Sequence, residues 1–158
     1  MKTKIYLFII ILFCVSVVSV YSQKEYTSLS TALKNPKDVK ILNLENQNLK
    51  TLSSDIQKLT NLEVLYLYNN QLKNLPSEIG KLKNLKQIHL NNNNITVLPK
   101  EIGNLEKLEI LSITENKLSN LPKSIGNLSN LKYLFVSDNK LTAVPAELGK
   151  LAKLIELD

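Results

Sequence analysis

Residues 62–84 read LEVLYLYNNQLKNLPSEIGKLKN and residues 85–107 read LKQIHLNNNNITVLPKEIGNLEK. The two stretches superpose at an offset of 23 residues, apolar on apolar, asparagine on asparagine, and LP and IG on LP and IG. Working outward, prolines at 76, 99, 122 and 145 keep that period, as do all four glycines, at 80, 103, 126 and 149. Aligned on these marks, five full units start at Val39, Leu62, Leu85, Leu108 and Leu131, and a partial sixth starts at Leu154. Positions 1, 4, 6, 11, 14, 18 and 21 of the full units make 35 sites, and every one is Leu, Ile or Val. A period of this length marks a repeat architecture, in which no unit buries its apolar face alone and stability comes from contact between neighbours.

Within a unit, Leu65–Tyr66–Leu67 alternates with the period of a strand, sending the leucines to one face and the tyrosine to the other. Parallel stacking at about 4.8 Å would carry six such strands over roughly 25 Å. Position 9 is Asn70, Asn93, Asn116 and Asn139, with Gln47 in the first unit. A buried amide there is expected to satisfy backbone groups exposed where the strand turns, so these residues read as structural. Proline at position 15 removes an N–H and sets φ at a bend, and glycine at position 19 is expected to permit a tight turn.

The pattern LxxLxLxxNxL followed by xxLPxxIGxLxxL resembles the leucine-rich repeat family, in the class with 23-residue units found in bacterial repeat proteins and in Ras-associated scaffold proteins. The resemblance covers about residues 39–158. It implies an α/β repeat solenoid, a horseshoe segment with a parallel β-sheet on the concave face and short helical or irregular turns on the convex side.

The first unit lacks the marks, with Ser53 in place of proline and Gln57 in place of glycine. Before it, Tyr26, Leu29, Ala32 and Leu33 fall at helical spacing and Asn35–Pro36 ends the segment, which predicts a helical cap over 25–34 within an N-terminal region 23–38. Earlier still, Lys2 and Lys4 precede an apolar run from Ile5 to Val20, broken only by Ser16 and Ser19, and Ser22 stands before Gln23. Residues 1–22 thus read as a secretory signal peptide, the run being slightly short of the roughly 20 residues that span a bilayer. Retention as a membrane anchor is the alternative. Cys14 reads as a small hydrophobe within that run. At the other end, Leu154–Asp158 starts a strand with no cap after it, so the edge is either blunted by Glu156 and Asp158, left by shortening, or paired with another chain.

Composition narrows the function. All 20 basic residues are lysine, and without arginine there is no fork for phosphate or base recognition, so no nucleic-acid partner is expected. One histidine and one cysteine leave no set of metal ligands and no Cys/His catalytic pair, and no cofactor site is expected. The net charge of +6 falls to +4 once Lys2 and Lys4 leave with the leader, a mild bias rather than a polybasic patch.

The outward strand positions form columns down the stack. Position 3 reads Ile41, Val64, Gln87, Ile110, Tyr133 and Glu156; position 5 reads Asn43, Tyr66, His89, Ser112, Phe135 and Asp158. Position 7 reads Glu45, Tyr68, Asn91, Thr114 and Ser137; position 8 reads Asn46, Asn69, Asn92, Glu115 and Asp138. Four of the five aromatic residues after the leader fall here: Tyr66, Tyr68, Tyr133 and Phe135. Exposed aromatics are the residues that binding hot spots favour, although strands also favour them for cross-strand packing alone. Tyr66, Tyr68, His89, Asn91, Ser112, Tyr133 and Phe135 are the candidate ligand-binding residues, with no catalytic or metal-binding residue among them. The expected protein is an exported, non-enzymatic module, secreted or in the cell envelope as the resemblance to bacterial exported repeat proteins implies. Its partner would be a protein, of a host or of the envelope, held on the concave face. The alternatives are a carbohydrate ligand, suggested by tyrosines beside Asn43, Asn69, Asn91 and Asn92, and a structural envelope protein assembling through its C-terminal edge. A membrane partner follows only if residues 1–22 are retained.

Overall fold

A computed structural model describes residues 24–158. The leader expected over residues 1–22 lies outside the described residues. Each unit contributes one three-residue strand: β2 Ile41–Asn43, β3 Val64–Tyr66, β4 Gln87–His89, β5 Ile110–Ser112 and β6 Tyr133–Phe135, followed by the two-residue β7 Glu156–Leu157. They pair in parallel in one sheet in strict chain order, and the register steps by one unit at each pair: Ile41 to Val64 to Gln87 to Ile110 to Tyr133 to Glu156. The strands are short because the alternating run is short, Leu-x-Leu, after which the chain must turn.

A leucine-rich repeat solenoid results, with the sheet on the concave side. Five 3-10 turns, Ser54–Lys58, Ser77–Lys81, Lys100–Asn104, Lys123–Asn127 and Ala146–Lys150, line the convex side, four of them entered from proline in an extended conformation. Between sheet and turns runs a single leucine and isoleucine core. Leu65, Leu67, Leu72, Ile79, Leu82, Ile88 and Leu90 lose all solvent contact within it.

The asparagine positions act as the pattern predicts. Asn93 donates from Nδ2 to the carbonyls of Leu67, Leu90 and Asn91 at 2.9, 3.0 and 3.3 Å, and its Oδ1 accepts from Leu72 N–H at 2.9 Å. Asn70 and Asn116 repeat the arrangement one unit earlier and later. Each side chain bridges its own turn to the unit before it.

One local expectation is corrected, and another is given its physical reason. The segment 25–34 is not one helical cap. Glu25–Tyr26 forms β1, which pairs in parallel with Ile41–Leu42, and only Leu29–Ala32, here α1, is helical. Tyr26, at the position that takes leucine or isoleucine in the other strands, turns inward and is buried with the core, while pairing satisfies the backbone of β2 that would otherwise form an edge. Among the described residues the sheet therefore has seven strands. The glycines are not needed for left-handed backbone, since none has positive φ. Gly80, Gly103 and Gly126 are needed for closeness: a Cβ on Gly103 would stand 2.3 Å from the carbonyl oxygen of Ser124, and one on Gly80 2.6 Å from that of Glu101, whereas Gly149 has open space around it. The left-handed backbone lies at position 8 instead, at Asn46, Asn69, Asn92, Glu115 and Asp138, and at Asn48 in the first unit, with φ of 53–56°.

Candidate functional site

The concave columns gather the aromatic residues into two groups. Tyr66, on β3, stacks against His89 of β4 with ring centres 5.0 Å apart, and meets Tyr68 edge-on at 6.1 Å. Tyr133 and Phe135, at the two ends of β6, lie nearly parallel at 6.2 Å. All four rings are half-buried. Three strand spacings separate β3 from β6, about 14 Å at the usual 4.8 Å.

The remaining candidates are placed differently. His89 is only 5% exposed, packed flat beside Tyr66, with Nε2 3.4 Å from Gln87 Oε1. Burial lowers its pKa to about 4, so the ring is neutral at physiological pH. Ser112 is 6% exposed, and its hydroxyl donates to Asn91 Oδ1 at 2.7 Å. That same oxygen accepts from Thr114 N–H at 3.3 Å. His89, Ser112 and Asn91 thus shape the floor between the two aromatic groups, with the Ser112 hydroxyl and Asn91 Oδ1 engaged with each other.

Burial raises the pKa of the Tyr66 hydroxyl, and the negative charges of Glu25 and Glu45 raise it further. Glu25 was not among the candidates read from the sequence. It enters the position-3 column through the pairing of β1, and the alternation of Glu25–Tyr26–Thr27, polar-apolar-polar, is the signal that would have placed it there. Glu45 carries an oxygen, Oε2, that is shielded from solvent and has no hydrogen-bond partner among the described residues. No group of three or more His, Cys, Asp or Glu among the described residues is placed to hold a metal ion, and no described helix is long and apolar enough to cross a membrane.

Comparison with known proteins agrees with the fold. The family model described as a leucine-rich repeat region matches residues 78–158, and that of a single leucine rich repeat matches residues 61–82. No curated protein matches the chain. Among solved structures, a leucine-rich repeat protein of Leptospira interrogans is 36% identical with a TM-score of 0.58, over 84% of this chain and 45% of that one. Internalin C2 of Listeria monocytogenes is 28% identical with a TM-score of 0.71, over 82% of this chain and 55% of that one. The ectodomain of the plant membrane receptor kinase GASSHO1/SCHENGEN3 from Arabidopsis thaliana, solved in complex with CASPARIAN STRIP INTEGRITY FACTOR 2, is 32% identical with a TM-score of 0.68, over 74% of this chain and 15% of that one. The chain spans about half the length of the two bacterial proteins, and less of the plant receptor.

Proposed function

Because the chain belongs to the leucine-rich repeat family, we propose that it is an exported, non-enzymatic binding module whose concave sheet holds a protein ligand. The observation that carries this reading is the pair of aromatic groups, Tyr66–Tyr68 and Tyr133–Phe135, held half-open on one face of a rigid parallel sheet. Large rings with few rotatable bonds lose little entropy on contact and fill pockets on a partner. His89 and Ser112 serve as packed floor beneath that contact rather than as donors to the ligand.

The family is generally non-enzymatic, and the Arabidopsis relative was solved with a bound partner, which supports a protein ligand. A receptor ectodomain and an internalin among the similar structures, with the apolar leader at residues 5–20, support a setting outside the cytoplasm, secreted or at the cell envelope. The test is a paired capture from surface extracts that contain proteins and glycans. One bait is the protein, and the other carries alanine at Tyr66, Tyr68, Tyr133 and Phe135, both checked as folded. A protein held by the first bait alone supports the proposal, and a glycan held that way replaces its ligand class. Equal capture by both baits removes the concave face as the site.

A further inference from the structure

We infer that the concave face takes a lysine- or arginine-rich extended protein segment, laid across the strands, with two cationic side chains four residues apart set on the Tyr66–Tyr68 and Tyr133–Phe135 ring pairs. This rests on the reading that the face binds protein, and adds the chemistry of the partner.

Charge is segregated on this molecule. The chain as a whole is basic, at +6, yet the outward columns at positions 3, 5, 7 and 8 contain no lysine. They contain Glu45, Glu115, Asp138, Glu156 and Asp158, and β1 adds Glu25 to them. The lysines nearest the sheet, at position 2, are already engaged. Lys40 and Lys86 flank Glu63 at 3.5 and 2.6 Å, and Lys132 pairs with Glu109 at 2.7 Å. Lys117 and Lys140 follow the position-9 asparagines, where the chain has left the sheet. The ion pairs among the described residues use Asp55, Glu63, Glu109 and Glu147, none of which is a carboxylate of the columns.

An acidic surface of this kind speeds the approach of a basic segment and penalises an acidic one. Open faces of tyrosine and phenylalanine attract ammonium and guanidinium groups when they lie within about 6 Å of the ring centre. The spacing follows from geometry. Three strand steps from β3 to β6 cover about 14 Å, and an extended chain advances about 3.3 Å per residue. Residues i and i+4 therefore reach both ring pairs, and an even separation keeps them on the same side of the extended segment.

Fluorescence anisotropy tests this with the full chain and two labelled extended peptides, one with lysine at every fourth position and a twin with glutamate at those positions. The lysine peptide is expected to bind, the twin at least tenfold more weakly, and a rise from 50 mM to 0.5 M salt should weaken the lysine peptide about tenfold or more. Two folded variants locate the effect: Glu45→Gln/Glu115→Gln/Asp138→Asn, and alanine at the four rings. Each is expected to lose about tenfold or more in affinity for the lysine peptide. Equal binding of the two peptides, no binding of either, or an unchanged acidic-residue variant overturns the inference. If only the ring variant loses binding, the face stands as a site and the charge chemistry falls. If neither variant loses binding, the concave assignment falls with it.

Discussion

Asn93 shows how far a single side chain reaches in this fold. Three carbonyls and one N–H from two successive units converge on it, so Asn93→Ala leaves several buried backbone groups without partners. A loss of about 2–4 kcal/mol is expected by urea denaturation, whereas Gln47→Ala at the exposed equivalent should stay within about 0.5 kcal/mol. The role of these asparagines was legible in the sequence because the requirement repeats with the period. The role of His89 was not, since nothing in one lone histidine says whether it lies on a surface or in it. Its pKa of about 4 against the ordinary 6.5 means that, between those values, the unfolded chain binds a proton that the folded chain refuses. Stability should therefore fall as pH drops from 6.5 towards 4, by roughly 3 kcal/mol from this group, and His89→Gln should flatten that slope in denaturation series. Glu115 sits at φ 54° where three other units place asparagine. Glu115→Asn is expected to stabilise by about 1 kcal/mol in thermal unfolding while weakening the lysine peptide.

Among the elements, the convex turns are the tightest. Gly103→Ala drives a methyl against the backbone of the next turn, at 2.3 Å from Ser124 O, and neighbouring units must separate to admit it. The expected loss is about 2–3 kcal/mol, while Gly149→Ala, with nothing within 4 Å, should gain about 0.4–1 kcal/mol by restricting the unfolded chain. Calorimetry on the two variants checks the contrast. The conserved spacing of glycine along the chain gave its position and not its reason, because close approach between units is a tertiary property that local turn chemistry does not contain. The same limit explains β1. Tyr26, Leu29, Ala32 and Leu33 fit a helical stripe, yet pairing with Ile41–Leu42 closes the open edge of the sheet and takes Glu25–Tyr26 as strand. Tertiary pairing overrode the helical pattern at its first residues and left only Leu29–Ala32 helical.

Across the whole molecule, the order β1 to β7 and its unit-by-unit register were legible because the period itself dictates which residues stack. Columns 3 and 5 read from the sequence are columns in the sheet, which sets Tyr66 beside His89 and Ser112 beside Phe135. What the columns did not contain was depth: Tyr66, Tyr68, Tyr133 and Phe135 remain half-open, while His89 and Ser112 sink between larger neighbours. The segregation of carboxylates from lysines appears only when the columns are viewed as one surface. The proposed function rests on that surface, and its most direct test is hydroxyl-radical footprinting of the protein with a partner captured from surface extracts. Aromatic side chains report their own accessibility, and buried Tyr26 serves as an internal reference. The account predicts that oxidation of Tyr66, Tyr68, Tyr133 and Phe135 falls on binding while residues of the convex turns are unchanged. Unchanged oxidation of the four rings, with protection on the convex turns, would contradict it.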